Sequence, residues 1–201
     1  MATDFTWREV ISDWCDGGRR AAPAVVPGPL EEFWLAGGAQ ALSRQNRFQV
    51  PADEDGYSVF YVENQHVCEW AYRTGDLSQD PAVFVRELGP SNPEWVAVGC
   101  RLDAFLTAAS VIEIALGAPI GRGAEGPVRS LDEVLGLDRV QLPELGWPPG
   151  VTTSYYAGSD LLAFAHDVGG GHAYAYVGAR QPAALHAIED RVGASPDWEL
   201  T

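Results

Sequence analysis

The chain has 201 residues and a mass of 21.7 kDa, which is enough for a well-buried core, and its hydrophobic share of 46% is ordinary for a globular protein. Its charge is unusual, because 28 acidic residues face 13 basic ones and give a formal net charge of −15. Such a surface repels phosphate backbones and anionic lipid heads, which argues against nucleic-acid or membrane binding, and it attracts a basic protein. Acidity also keeps a protein soluble without any partner, so both interpretations stay open.

The sequence predicts neither a signal peptide nor a membrane span. The first ten residues carry Asp4 and Glu9 and lack the basic start and apolar core of a signal peptide. No apolar run approaches the roughly 20 residues that cross a bilayer. We therefore expect a cytoplasmic protein in which Cys15, Cys68 and Cys100 are free thiols.

The first predicted element is a helix over residues 4–15. Its apolar residues recur at helical spacing, as Trp7, Val10, Ile11 and Trp14, and Gly17-Gly18 would end it. Residues 30–35 predict a second, short helix. Residues 39–50 fit neither a helix nor a strand clearly, and residues 51–56 are predicted to form an exposed acidic loop that carries Asp53, Glu54 and Asp55.

Residues 58–85 predict an antiparallel meander. Their β-branched and aromatic runs at 59–62, 67–72 and 82–85 suit strands, and the polar tetrad 63–66 suits a tight connection. A fourth strand is expected at 95–98 and a helix at 102–116, where apolar residues return to helical spacing.

The second half of the chain repeats this pattern. Residues 118–128 are rich in Gly and Pro and are predicted to be a mobile loop between the halves. Strands at 152–156, 161–166 and 173–177 and a helix at 182–192 follow. The prediction is an α+β fold with a core at 1–117, the loop at 118–128 and a strand-strand-strand-helix extension at 129–201. We expect the extension to pack on the same core, and one continuous antiparallel sheet would satisfy this.

Two groups of residues could carry chemistry. His166, Asp167 and His172 surround a triple glycine, and a hairpin could bring both imidazoles to one metal ion. Hairpin ends ordinarily carry Asp and Gly for turn geometry, so we favour a structural role and predict no metal, with the metal site as the alternative. His66 and Cys68 stand two residues apart on a predicted strand, about 7 Å, which is too far for a thiol–imidazole hydrogen bond.

Neither glycine-rich stretch predicts a nucleotide site. Residues 121–126 follow a helix and lack the lysine of a phosphate loop, and residues 169–171 join two strands. Three of the seven tryptophans, Trp7, Trp14 and Trp70, fall on core stripes. The sequence does not assign the other four, which are Trp34, Trp95, Trp147 and Trp198.

An ordered set of short matches over residues 25–116 resembles the SUKH superfamily, also called the SMI1/KNR4 family. The set comprises Val26-Pro27, Leu30, Phe33-Trp34, Gly37-Gly38, residues 60–67 with Trp70, Asp80-Pro81-Ala82-Val83, Trp95, Leu102 and Phe105-Leu106. The Glu63-Asn64-Gln65 turn and Asp80-Pro81 look most like bacterial members. Residues from about 118 onward are matched poorly.

The resemblance implies an α+β fold without catalytic residues or cofactors, whose activity is binding. Many bacterial members look like immunity proteins that neutralise a cognate toxin, often a nuclease. We therefore predict a non-enzymatic immunity protein, with a regulatory or scaffolding adaptor as the alternative and an enzyme as a distant third. The oligomeric state is left open, with a monomer as the simpler expectation. Recognition is predicted to fall on polar connections of the sheet, at Asp53, Glu54, Asp55, Glu63, Gln65, Asp76 and Asp80.

Overall fold

The computed structural model describes residues 5–15, 21–89, 94–146 and 148–201. These residues form two compact units. The first unit holds the described residues up to Ser110 together with residues 143–146, and the second holds residues 111–142 and 148–201. No helix within the described ranges is long and apolar enough to cross a membrane.

Three helices begin the first unit, α1 (Trp7–Trp14), α2 (Gly28–Leu35) and α3 (Gly38–Leu42). The α1 helix starts with a capping box, because the Glu9 carboxylate accepts a hydrogen bond from the backbone N–H of Thr6 at 2.7 Å. Both predicted helices are confirmed. The glycine pair that was expected to end α1 lies outside the described residues.

The first unit also contains a five-stranded antiparallel sheet in the order β1-β2-β3-β4-β5. Its strands are β1 (Arg47–Glu54), β2 (Tyr57–Val62), β3 (Cys68–Arg73), β4 (Ala82–Glu87) and β5 (Val96–Arg101). The predicted meander is confirmed. The acidic loop predicted at 51–56 is wrong, since Asp53 and Glu54 lie in β1 and only Asp55 and Gly56 connect it to β2.

One face of this sheet, the front face, carries the aromatic core. Phe48, Tyr61 and Trp70 pair across adjacent strands on that face, and the Phe48 and Tyr61 ring centroids lie 4.4 Å apart. Phe105 of helix α4 (Leu102–Gly117) meets Tyr61 edge-on at 5.8 Å, and Phe33 of α2 meets Phe48 at 4.8 Å. Helices therefore contact the sheet on its front face.

The second unit contains a six-stranded antiparallel sheet in the order β11-β6-β10-β9-β8-β7. Its strands are β6 (Ile120–Pro127), β7 (Asp138–Val140), β8 (Thr152–Ala157), β9 (Leu161–Asp167), β10 (His172–Ala179) and β11 (Glu199–Leu200). A 3-10 turn (Val128–Ser130) and the helices α5 (Leu131–Leu135) and α6 (Pro182–Ala194) complete it. Leucine, isoleucine and valine side chains of α5 and α6 pack on small residues of β9 and β10.

Two predictions about this half are wrong. The two sets of strands form two sheets and not one continuous sheet. Residues 118–128 are largely strand β6 and not a loop, because their glycines serve close packing: a Cβ on Gly126 would lie 2.4 Å from the Trp198 ring. The α+β class is confirmed, and the sharing of one core by both sets of strands stays a prediction.

Candidate protein-interaction site

The seven residues predicted to bind a partner lie at two opposite ends of the five-stranded sheet. Antiparallel order places the β1–β2 and β3–β4 connections at one end, and this acidic end carries Asp53, Glu54, Asp55, Asp76 and Asp80. The β2–β3 connection with Glu63 and Gln65 lies at the other end. Since a six-residue strand is about 20 Å long, the seven residues do not form one surface patch.

The β1–β2 hairpin presents exposed carboxylates. Asp55 has a left-handed backbone with φ of 54°, and its side chain is 82% exposed. The Asp53 carboxylate accepts a hydrogen bond from the backbone N–H of Gly56 at 3.1 Å, which fixes the turn. The hairpin thus holds two aspartates at its tip by local geometry.

The other two aspartates of this end have structural partners. The hydroxyl and backbone N–H of Ser78 hold the pKa of Asp76 below its ordinary value. The Asp80 carboxylate accepts a hydrogen bond at 3.0 Å from the backbone N–H of Asp103, in the first turn of α4. Asp80 therefore caps α4 from a distant segment.

The turn at the other end is held by its own first residue. The Glu63 carboxylate accepts hydrogen bonds from the backbone N–H groups of Gln65 at 2.7 Å and Val67 at 3.4 Å. Asn46 adds a third bond, from the Asn64 N–H to its side-chain oxygen at 3.2 Å. Glu63 shapes this turn, while Gln65 is exposed.

The cluster on the rear face, the side of this sheet opposite the aromatic core, was not predicted from the sequence. Cross-strand pairs place there Tyr57 with Arg73, Ala71 with Phe84, and Glu69 with Arg86. A small apolar cluster of Val59, Val62 and Ala71 lies beneath, packed against Tyr57 and Trp95.

A buried ion pair anchors this face. The Arg86 Nε donates to Glu69 Oε1 at 2.9 Å, and the two side chains are only 7% and 4% exposed. The same guanidinium contacts Glu54 at 2.5 Å and Asp55 at 3.7 Å. Burial lowers the pKa of Arg86, but the hydrogen bonds and charges of Glu69 and Glu54 outweigh it and raise that pKa overall. The hairpin tip is therefore tied to the interior of the sheet.

Three half-buried rings, Tyr57, Phe84 and Trp95, form an aromatic patch on the rear face. Trp95 stacks on Tyr57 at 4.9 Å, and the Arg86 guanidinium lies 4.5 Å from its ring centroid. Exposed Arg73 lies 5.5 Å from the Phe84 centroid. Aromatic rings, arginines and carboxylates thus meet at one surface, a composition typical of binding hot spots.

One sequence signal pointed to this cluster. Glu69 and Arg86 lie inside strands whose only other charge is at the last residue, and buried charges in proteins are paired. Their pairing requires the β3–β4 register. The contact with Glu54 joins residues 32 positions apart in sequence, and no local pattern indicates it.

The histidines around the triple glycine have structural partners. His166 Nδ1 lies 3.1 Å from the Thr153 hydroxyl, and Asp167 accepts the Gly169 N–H at 2.9 Å. Burial lowers the pKa of His166, and the His172 ring meets Tyr174 edge-on. Within the described residues, no three His, Cys, Asp or Glu side chains are grouped to hold a metal ion.

His66 and Cys68 are not on one strand, because His66 lies in the turn with φ of 58° and β3 begins at Cys68. Burial raises the pKa of the Cys68 thiol, and the nearby Glu63, Glu69 and Glu87 raise it further. A thiol held in this way stays protonated and is a poor nucleophile.

The four unassigned tryptophans differ in their surroundings. Trp198 is buried in the second unit and donates its indole N–H to the Ser130 hydroxyl at 2.8 Å. Trp34 and Trp95 are half-buried, and among the described residues no acceptor reaches either indole nitrogen. Trp147 lies outside the described residues.

An open groove of about 260 Å³ lies in the second unit between the start of β6 and α6. Its charged lining is compensated internally, since Glu189 pairs with Arg122 at 3.1 Å and lies 4.0 Å from His186. The groove therefore offers no excess negative charge to a basic partner.

Comparisons of the chain with protein families, with curated proteins and with solved structures gave no match.

Proposed function

We propose that the protein is a non-enzymatic binding protein that neutralises a basic protein, as an immunity protein does for its cognate toxin. The observation that carries the proposal is the excess of 28 acidic over 13 basic residues, with the exposed carboxylate of Asp55 at a fixed turn. A surface of this sign attracts a basic partner and raises its association rate.

The architecture of the first unit supports the proposal. The resemblance to the SUKH superfamily covers residues 25–116, and a five-stranded antiparallel sheet with helices on its front face is built from that stretch. A basic nuclease is a fitting target, because exposed carboxylates can occupy the positions where its site binds phosphates. An adaptor of the same family would bind a basic protein without inhibiting it.

Growth rescue separates the two functions. The chain is co-expressed with the toxin domain encoded by a neighbouring reading frame, and we expect rescue together with micromolar or tighter binding that weakens as salt rises. Binding without rescue would favour the adaptor. Absent binding at micromolar concentration, or binding insensitive to salt, would overturn the proposal.

The structure also indicates which variants to compare in the growth-rescue experiment. Asp53→Asn and Asp55→Asn remove two charges while an Asn side chain still accepts the Gly56 hydrogen bond and tolerates the left-handed backbone at residue 55. Glu54 is left intact because it accepts a hydrogen bond from Arg86, whereas Asp55 lies 3.7 Å from that guanidinium. The matched control is a double change of exposed acids in the second unit, Asp138→Asn with Asp190→Asn. We expect only the hairpin variant to lose rescue.

A further inference from the structure

We propose that the rear face of the five-stranded sheet is the docking surface, and that it binds an arginine-bearing segment of the basic partner between its aromatic patch and the carboxylates of Glu54 and Asp55. This inference rests on the proposed function for one point only, that the partner is basic. It moves the interface away from Glu63 and Gln65, which lie at the other end of the sheet.

Among the described residues, the helix ring contacts given above lie on the front face and not on the rear face. The ring contacts of Phe33 and Phe105, from α2 and α4, fall on the front-face aromatics. On the rear face, the cluster of Val59, Val62 and Ala71 is packed against Tyr57 and Trp95, which are themselves only partly buried. Half-exposed large rings on a sheet face mark an interaction site.

The aromatic patch is also held rigidly. Trp95 is held by its stack with Tyr57 at 4.9 Å and by the Arg86 guanidinium at 4.5 Å, and Arg86 is fixed by buried Glu69. An aromatic anchor that is already ordered loses little conformational entropy when a partner binds. Trp95 is therefore the expected hot spot of the surface.

The charges of this face are complementary to a basic partner. Arg86 is surrounded by three carboxylates, those of Glu54, Asp55 and Glu69. Counted with Arg73 at the Phe84 ring, the cluster has three negative and two positive groups and therefore a net charge of −1. The Glu54 and Asp55 side chains are 46% and 82% exposed and border the aromatic patch through Arg86. Carboxylates beside aromatic rings fit a planar guanidinium, which both forks to carboxylates and stacks on rings.

The test uses an acetylated and amidated hexa-arginine peptide as the probe and the full chain as the receptor. Four variants are compared with the unmodified chain. Asp55→Asn, Glu63→Gln and Asp190→Asn each remove one negative charge, at the rear face, at the other end of the sheet and on α6. Trp95→Phe changes no charge but shortens the aromatic ring that Tyr57 and Arg86 hold in place, and it removes the indole edge that a partner would contact.

We expect Asp55→Asn and Trp95→Phe to weaken binding about fivefold each, and Glu63→Gln and Asp190→Asn to change it less than about twofold. In nuclear magnetic resonance spectra, the Trp95 indole signal, identified by its loss in Trp95→Phe, should shift with the peptide. The buried Trp198 indole, bonded to Ser130, should not move. Equal unfolding midpoints would show that the variants remain folded.

Other outcomes overturn the proposal in distinguishable ways. Equal weakening by all three charge changes, with no effect of Trp95→Phe, would mean diffuse attraction by the acidic surface. The rear-face proposal would then be overturned, while the proposal that the partner is basic would remain. Weakening by Glu63→Gln alone would place the interface at the opposite end of the sheet. No binding of the peptide by the unmodified chain would also overturn the rear-face proposal, whatever growth rescue shows.

Discussion

Arg86 shows how one residue can organise the surface of a sheet. Its side chain is almost fully buried, contacts three carboxylates and lies under the Trp95 ring. Taking two charges out of water is costly, so such a pair adds little stability by itself. Its effect is to hold the β1–β2 hairpin and Trp95 in fixed positions relative to each other.

We predict that Arg86→Met lowers the free energy of unfolding by about 3–5 kcal/mol, because it leaves the buried Glu69 carboxylate uncompensated. The double variant Arg86→Met with Glu69→Leu should recover most of that loss, since both charges are then removed. Urea denaturation of the three proteins measures this. If the single variant were no less stable than the double variant, the buried pair would not be coupled.

Asp80 links two elements of the fold, because its carboxylate caps α4 although 22 positions separate it from the start of that helix in sequence. The sequence indicated both a turn former before Pro81 and a helix from Leu102, but not that the first would cap the second. Local patterns predicted β2, β3 and β4 because periodicity indicates which residues are buried. The same patterns missed this contact because periodicity does not indicate which distant segments meet.

Asp80→Ala is predicted to destabilise the chain by about 0.5–2 kcal/mol, the usual effect of losing a helix cap. Asp80→Asn should cost much less, because the amide oxygen still accepts the hydrogen bond from the Asp103 N–H. Thermal unfolding of both variants is the measurement. If Asp80→Asn were as harmful as Asp80→Ala, the negative charge near the helix N-terminus would matter more than the hydrogen bond.

Strands β1 and β6 are two elements that local sequence patterns do not distinguish from loops. Arg47–Glu54 is polar and contains Pro51, which fits an edge strand and also a loop. The glycines of β6 resemble a loop, but Gly123 and Gly126 leave room for Thr201 and Trp198, which are more than 70 residues away. Only long-range packing distinguishes these cases.

In the molecule as a whole, the spacing of apolar residues was enough to predict the fold class. Predicting which side chains meet at the site requires the topology of the sheet. The opposite placement of Glu63 and Asp76 follows from any antiparallel meander, so the sequence already contained it. The meeting of Glu54 with Arg86 joins side chains of β1 and β4, two strands that are not neighbours in the sheet, and no local pattern encodes it. Net charge is the one global property that the sequence sets completely.

That charge leads to a last prediction. With 28 acidic and 13 basic residues, repulsion among carboxylates opposes folding at neutral pH. Raising sodium chloride from about 10 to about 150 mM shortens the screening length from about 30 to about 8 Å. We expect this to stabilise the chain by on the order of 1 kcal/mol, or about 2–4 °C in Tm.

Calorimetry at the two salt concentrations measures the effect, and pH provides the control. The sequence pI is about 4.4, so net charge shrinks as pH falls toward 5 and the gain in Tm with salt should shrink with it. A salt effect of equal size at both pH values would come from ion-specific hydration and not from screened repulsion. A fall in Tm with salt at neutral pH would mean that ion pairs such as those of Arg8 with Glu32 and Asp103 outweigh the repulsion.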